Sequence, residues 1–260
     1  MHAYALQVAY QGTRYFGWQR TSEGPSIEDE LEKALSKIFH FNPLLQAASR
    51  TDRGVHALGQ IVQFKLDQEV DTKKLLLGLN ALLPDDIRVL KASKCPDNFH
   101  PTLDALGKEY RYHLMLGVAP HPLYAHMAWH VPRFHLNEEV RKTIPLLLGT
   151  HDFKAFCNFR KNLNYPTTVR TLQSLQFIQE GPLLIISLVG DHFLYKMARN
   201  IVGLLVQIGE GKFPVQAVPA LFEQKDRTQA AMTAPAHGLT LHNVFYPEFP
   251  LPLPLPEKNH

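Results

Sequence analysis

Apolar and polar residues follow strand and helix periodicities in an order that the chain runs through twice. In the first half, alternation and short apolar runs predict strands over residues 2–11, 44–48, 58–66 and 87–94. Apolar residues recur with helical spacing after Ser26 and over 71–83, and serine is a residue type that caps helix N-termini. The predicted order, β-α-β-β-α-β, is that of a ferredoxin-like unit.

The second half repeats this order with longer connections. Its predicted strands span residues 107–116, 168–179, 183–189 and 239–246, and its predicted helices span 137–148 and 191–208. We therefore expect an α+β fold of two ferredoxin-like βαββαβ units in a pseudo-symmetric arrangement. The expected sheet is mixed and largely antiparallel, with helices on one face and a central cleft.

The predicted domains are an N-terminal α/β unit over residues 1–104 and a C-terminal α/β unit over 105–246. The remaining segment, 247–260, is rich in proline, with proline at positions 247, 250, 252, 254 and 256. Because proline favours an extended polyproline form, we interpret this segment as a tail.

Composition narrows the class of protein. No apolar run is long enough to span a membrane, and no signal peptide is predicted at the N-terminus. Two widely separated cysteines suit a reducing compartment, so a cytoplasmic location is expected. The net charge of +3 permits a nucleic acid partner without requiring one. The histidines form no His-x-x-x-His pair on a predicted helix, and the sequence predicts no metal site.

The most informative stretch is the loop over residues 49–60, which gathers five polar or charged side chains around a glycine: Arg50, Thr51, Asp52, Arg53 and His56. Asp52 has one arginine two residues before it and another directly after it. Nearby guanidinium groups favour the charged form of a carboxylate, which a nucleophile or a general base requires. Thr-Asp-Arg-Gly is also good turn chemistry, so a plain surface turn is the alternative.

A second candidate is the polar face of the helix predicted over 191–208, where helical spacing groups Lys196, Arg199, Asn200 and Gly203. Glycine in the middle of a helix costs about 1 kcal/mol relative to alanine, so something is expected to pack closely against Gly203. The face is either a solvated surface or one that a nucleic acid backbone or the Asp52 carboxylate approaches.

Two aromatic groups are further candidates. Alternation places Tyr110 and Tyr112 on one face of a strand, where they either pack in the core or stack on a base. Near the N-terminus, the aromatic residues within 15–18 lie between Arg14 and Arg20. They either clamp RNA together with these arginines or pack into the edge of the domain.

In this order and spacing, the segments resemble the TruA family of tRNA pseudouridine synthases over nearly the whole chain. The resemblance rests on Phe16-Gly17-Trp18-Gln19, Arg50-Thr51-Asp52-x-Gly54-Val55-His56-Ala57, Gly59-Gln60, Phe99-His100-Pro101, Lys108-x-Tyr110-x-Tyr112, Gly149-Thr150-His151-Asp152-Phe153, Phe193-Leu194-Tyr195-x-Met197-x-Arg199-Asn200-Ile201-Val202-Gly203 and Ala234-Pro235-x-x-Gly238-Leu239. Each motif is weak alone, and together they are specific.

The resemblance implies isomerisation of uridine to pseudouridine at positions 38, 39 and 40 of the tRNA anticodon stem-loop. It implies Asp52 as the catalytic aspartate, with Arg50 in the same loop and Arg199 as the helix arginine that pairs with it and helps to displace the base. It implies Tyr110 as the residue that stacks on the target uracil. It also implies a homodimer that binds tRNA, without cofactor or metal.

Substrate contacts are expected from Tyr110, Arg53, His56, Lys196, Arg14 and Arg20. Arg53 and Lys196 depart from the family pattern, which usually has a small residue and a histidine or other polar residue at these places. The departures bear on substrate range more than on reaction type. A non-catalytic RNA-binding module and a metal-dependent hydrolase are the rival hypotheses.

Overall fold

A computed structural model describes residues 1–161 and 163–247 and divides into two compact units. One unit comprises Met1–Leu106 with the described residues from Leu241 onward, and the other comprises Gly107–Thr240. The predicted Pro-rich tail over 247–260 lies, except for Pro247, outside the described residues.

The first unit has the predicted order of strands and helices. Its elements are β1 (His2–Tyr10), α1 (Ile27–Phe39), β2 (Gln46–Ala47), β3 (His56–Leu66), α2 (Thr72–Leu82) and β4 (Ile87–Cys95). β1 lies between β3 and β4 and is antiparallel to both, and β2 pairs antiparallel with β3. The strand order β4-β1-β3-β2 is that of a ferredoxin-like unit, which confirms the prediction.

Capping and apolar stripes explain the two helices of this unit. The Ser26 hydroxyl accepts a hydrogen bond from Asp29 N at 3.2 Å, and the Asp71 carboxylate accepts one from Lys73 N at 2.8 Å. The apolar stripe of α1 is fully or almost fully buried, namely Ile27, Leu31, Ala34 and Leu35. Burying one such leucine or isoleucine contributes ~1.5–3 kcal/mol, so the stripe fixes which face of α1 points inward.

The second unit contains the predicted elements and three that periodicity did not predict. Its elements are β5 (Gly107–Met115), β6 (Trp129–His130), α3 (Glu138–Leu147), β7 (Gly149–Asp152), β8 (Val169–Glu180), β9 (Leu183–Gly190), α4 (Met197–Gly209) and α5 (Val218–Gln224), and β10 (Leu239–Phe245) crosses the unit boundary. β9 is antiparallel to β5 and β8, and β7 is antiparallel to β8. The unpredicted elements are β6, β7 and α5, which are too short for a clear period.

The predicted start of the long helix at residue 191 is wrong, because α4 begins at Met197. Residues 191–196 are held by other bonds: the Asp191 carboxylate accepts from Thr171 N at 3.0 Å, and Tyr195 N donates to the Tyr165 hydroxyl at 2.9 Å. Lys196 then has a φ of 63°, which no α-helix accommodates. Lys196 is therefore the N-cap of α4 rather than a member of its polar face.

No helix within the described residues is long and apolar enough to cross a membrane. In the same part of the chain, no group of three or more histidine, cysteine, aspartate or glutamate side chains could hold a metal ion.

Candidate active site

The loop that carries Asp52 is a turn whose neighbours brace it from inside the first unit. Val55 N donates to Asp52 O at 3.1 Å across the turn, and Gly54 has the positive φ, 80°, that this geometry needs. The predicted turn is therefore present. The Asp52 side chain is partly exposed, whereas Thr51 before it and His56 after the turn are buried.

Buried polar side chains of the motif bind the protein itself. The Tyr10 hydroxyl and Thr51 Oγ1 share a hydrogen bond of 2.8 Å, and His56 Nδ1 accepts from Gly12 N at 3.0 Å. Gln60, which is fully buried, accepts from Ser49 N at 3.1 Å and donates to Ser49 O at 2.6 Å. These residues fix the entry and exit of the loop, so that the Asp52 backbone has little freedom.

A close approach of main chain to main chain completes the support. Trp18 N donates to Thr51 O at 3.0 Å. A Cβ on Gly17 would lie 2.6 Å from Thr51 O and 3.1 Å from Arg53 N, and Gly17 has a φ of +102°. The segment around Gly17 can therefore touch the Asp52 turn only because this residue has no side chain.

The arginines of the loop are exposed, which leaves them accessible to a polyanion. The Arg53 guanidinium carbon lies 4.0 Å from the centre of the Phe16 ring, a cation–π contact that orients its side chain. Arg50, two residues before Asp52, is also exposed. The loop thus presents one partly exposed carboxylate between two exposed cations.

The N-terminal aromatic residues pack into the domain, which was one of the two interpretations of this segment, the other being an RNA clamp. Tyr15 and Trp18 are buried. The flanking arginines form ion pairs within the unit: Arg14 lies 2.7 Å from the Asp86 carboxylate, and Arg20 pairs with Glu32. Both arginine side chains remain more than half exposed, so these ion pairs leave them accessible.

In the second unit, Tyr110 lies on β5 opposite Leu188 of β9 and is almost buried. Its ring contacts the Phe193 ring edge to face, with centroids 5.0 Å apart and planes at 77°. This contact fixes the orientation of the Tyr110 ring. On the other face of β5, Arg111 Nε donates to the Glu109 carboxylate at 2.7 Å.

Arg199 on α4 is tied to a crossing segment of the same unit. Its Nε donates to Ala234 O at 2.8 Å, and Ala234 N donates to Arg199 O at 3.1 Å. A Cβ on Gly203 would lie 1.8 Å from Met232 O, which confirms the prediction that something packs closely against this glycine. Burial raises the pKa of the Tyr112 hydroxyl, and the charge of nearby Arg199 opposes that rise.

Asn200 faces the protein interior rather than a solvated surface or an RNA backbone. It is buried, its Nδ2 donates to Phe156 O at 2.6 Å, and its Oδ1 accepts from Arg227 at 2.9 Å and Thr233 at 2.6 Å. Sequence reasoning missed Arg227, which joins this network with a pKa lowered by burial. The only signal in the sequence was an asparagine, a weak helix former, inside a helix.

The expected site residues are thus distributed over both units. The first holds Asp52 with Arg50, Arg53, His56, Arg14 and Arg20, and the second holds Tyr110, Arg199 and Lys196. Lys196 lies with its ammonium 5.1 Å from the centre of the Tyr195 ring. The expected meeting of Arg50, Arg199 and Tyr110 at Asp52 stays a prediction.

Comparison with known proteins defines the class. Residues 6–104 and 144–247 match the sequence model of a family described as tRNA pseudouridine synthase. The tRNA pseudouridine synthase A 2 of Protochlamydia amoebophila is 46% identical over 93% of both chains. The tRNA pseudouridine synthase A of Francisella tularensis subsp. novicida is 40% identical over 96% of both, and that of Chlamydia trachomatis serovar A is 41% identical over 93% of this chain and 91% of its own.

Pseudouridine synthases are isomerases, and the matches cover most of the chain. The chain belongs to the TruA family of tRNA pseudouridine synthases.

Proposed function

We propose that this protein isomerises uridine to pseudouridine at positions 38, 39 and 40 of the tRNA anticodon stem-loop, with Asp52 as the catalytic carboxylate. The observation that carries the proposal is the Asp52 turn. Its backbone is braced by buried Thr51 and Gln60, while its carboxylate is partly exposed between two arginines. The names of the family and of its members supply tRNA as the substrate class.

The reaction breaks the bond between uracil N1 and ribose C1′ and rejoins the base through C5. Asp52 either attacks C1′, or acts as a base that removes a ribose proton in an elimination. In both routes the bonding electron pair leaves with N1, and the base becomes a uracil anion. C5 then bonds to C1′, which releases the Asp52 carboxylate in the first route and is accompanied in the second by return of the proton to the ribose. The hydrogen of C5 is lost as a proton, and N1 takes up a proton. Nothing is oxidised, so the reaction requires no redox cofactor.

The other roles are proposed with the same chemistry. Arg50 and Arg199 act as catalytic residues that orient the carboxylate and help to displace the base. Tyr110 stacks on the target uracil, since a uridine in a stem must first be unstacked at a cost of a few kcal/mol. Its ring is already oriented by Phe193, which reduces the entropy lost on binding.

Contacts to the RNA are proposed for exposed or partly exposed cations, namely Arg14, Arg20, Arg53 and Lys196. For His56 we propose a bracing role instead, because its Nδ1 accepts the Gly12 N–H and its ring is buried. A homodimer and a cytoplasmic location are proposed from the family resemblance, and sedimentation of the purified protein tests the first.

The test measures tritium release from tRNA that carries tritium at uracil C5, followed by mapping of pseudouridine in the product. We expect release from anticodon-arm uridines with the wild-type protein. Asp52→Asn should abolish turnover and leave the Kd for tRNA within about tenfold, or ~1.4 kcal/mol. Asp67→Asn, at an exposed aspartate of the same unit, is the matched control and should behave as wild type.

The rival hypotheses give different results. A non-catalytic RNA-binding module would bind tRNA without releasing tritium, and a metal-dependent hydrolase would lose its activity with a chelator. Retained turnover in Asp52→Asn would rule out Asp52 as the essential carboxylate.

A further inference from the structure

Lys108, the second residue of β5, is a buried cation that the roles above leave unused. Lys108 is 6% exposed. Among the described residues, no hydrogen bond or ion pair engages its ammonium group. Burial alone lowers the pKa of Lys108 to about 8. Proteins rarely bury an ammonium without a partner, since the desolvation penalty is several kcal/mol, and such groups concentrate at functional sites.

The nearest carboxylate in sequence points away from Lys108. Side chains alternate along a strand, so Glu109 and Arg111 lie on the opposite face of β5, where they pair at 2.7 Å. Ser187 of β9 also donates to the Glu109 carboxylate, at 3.0 Å. Glu109 is therefore satisfied by these two partners and does not neutralise Lys108.

Lys108 shares its face of β5 with Tyr110, two residues further on, which is about 7 Å along an extended strand. Its partner on β9 is Gly190, which has no side chain, and the space that a side chain would take is occupied by Thr171 O and the Phe193 ring. A Cβ on Gly190 would lie 3.2 Å from the Phe193 ring, the same ring that packs against Tyr110. Lys108, Tyr110 and the Phe193 ring thus lie on the same face of these strands.

Other ionisable groups near this place come from the neighbouring elements. His192 follows β9, and burial first and then the Lys108 charge lower its pKa. The Asp191 carboxylate is engaged by the backbone N–H groups of Thr171 and His192. The Asp191 charge raises the pKa of His192, and the charge of Arg170 on β8 lowers it further. The surroundings therefore carry charges of both signs, but burial is the one influence on the pKa of Lys108, so no carboxylate of the described residues neutralises it.

We propose that Lys108 faces the target uracil and stabilises the negative charge that the base acquires when the N1–C1′ bond breaks. The inference rests on the proposed function, and it holds for both routes of Asp52, because the electron pair leaves with N1 in each. A cation already largely desolvated on the face that carries the stacking ring requires little reorganisation as charge develops, which is the condition for strong electrostatic catalysis. A backbone phosphate is a poorer match, since RNA phosphates stay near solvent and Lys108 is buried on the face of β5 that carries Tyr110.

The test compares Lys108→Met, which keeps the length and apolar stem of the side chain, with Lys108→Arg, which keeps the charge. We expect Lys108→Met to lower kcat about 100-fold, as loss of one transition-state donor does, with KM and the Kd for tRNA within about threefold. Lys108→Arg should recover at least about a tenth of the wild-type kcat. Lys74→Met, at an exposed lysine of α2, is the matched control for lost positive charge.

The pH profile supplies a second readout. The charged form is the active one, so the wild-type kcat/KM should fall as the pH rises through about 8. Arginine stays protonated there, so the profile of Lys108→Arg should lack this fall. Ionisation of the substrate itself is common to both enzymes and cancels in the comparison.

Several outcomes would overturn the inference. A kcat of Lys108→Met above a third of the wild-type value would exclude a role in the chemical step. A loss confined to KM and Kd would assign Lys108 to phosphate binding. A loss of kcat accompanied by a lower melting temperature and a smaller folded fraction would show that Lys108 has a structural role. If wild-type protein released no tritium, the proposed function would fail and this inference with it, whereas a defect in Lys108→Met alone bears only on Lys108.

Discussion

The loop that carries Asp52 and the helix that carries Arg199 are held in place by different means. In the loop, single hydrogen bonds and a glycine contact act directly on the residues next to the carboxylate, as with Trp18 N on Thr51 O at 3.0 Å. The helix is supported through its buried face, where the side chain of Asn200 bonds to Phe156, Arg227 and Thr233.

The difference predicts whether a substitution in each region mainly reduces catalysis or mainly reduces stability. A change in the main-chain contacts of the loop displaces the backbone of Asp52, the proposed catalytic residue, so it should reduce catalysis more than stability. A change in the hydrogen bonds of Asn200 removes several bonds at once, but the backbone of α4 still positions Arg199. Such a change should therefore reduce stability more than catalysis. Substitutions in each region can separate these two effects.

Among the substitutions that test this comparison, Gly17→Ala should have the largest effect. The new Cβ would lie 2.6 Å from Thr51 O and 3.1 Å from Arg53 N, and both atoms belong to main chain that cannot rotate away. The turn must shift, and a misplacement of about 1 Å in a catalytic group costs ~100-fold in rate. We expect kcat for tritium release to fall at least about that much, as single-turnover kinetics on folded protein would show.

Gly117→Ala is the control for the backbone conformation alone. Gly117 has a φ of +96°, close to that of Gly17, but nothing lies within 4 Å of its added Cβ. It should lose only the ~1–2 kcal/mol of strain that an L-residue suffers in the left-handed region and keep its kcat. Equal kcat for both variants would break the argument that contact with the turn matters.

Asn200→Ala should have the next largest effect, on stability. The change removes a donor from Phe156 O and an acceptor from Arg227 and Thr233, and unsatisfied buried groups cost ~1–3 kcal/mol. We expect about 2 kcal/mol less stability in urea unfolding, with kcat of the folded protein within about threefold. Asn80→Ala is the control, since within the described residues the Asn80 side chain bonds only to Val89 N and O, and it should cost about half as much.

The order of strands and helices was predictable from periodicity because each long element buries one regular face. The cap Ser26 was also predictable, since cap chemistry acts within one turn. The start of α4 was not, because residues 191–196 have apolar spacing compatible with a helix, while tertiary bonds such as Tyr195 N to the Tyr165 hydroxyl hold them in another conformation. A bond between residues 30 positions apart leaves no local pattern.

The candidate site likewise has features that the sequence could predict and features that it could not. A glycine in mid-helix predicted a close contact at Gly203, since the cost of glycine is local and visible, but nothing in the sequence named Met232 O as the contact. The sequence motif around Asp52 did not separate residues that brace the turn from residues that face outward. That separation depends on burial, which places Thr51, His56 and Gln60 inside and leaves Arg50 and Arg53 exposed.

The smallest effect should come from Thr51→Val, which tests whether the side chains of the loop matter less than its backbone contacts. The substitution keeps the shape of the side chain and removes the buried 2.8 Å bond between Thr51 Oγ1 and the Tyr10 hydroxyl. One such bond contributes about 1 kcal/mol, so we expect that loss of stability and a kcat within about threefold of wild type. Thr150→Val removes a bond of similar length from an exposed pair, with Thr171, and should be close to neutral. A 100-fold loss of kcat in Thr51→Val would instead place the Tyr10–Thr51 bond on a par with the Gly17 contact, because the carboxylate would then depend on a side-chain bond that the main chain alone cannot replace.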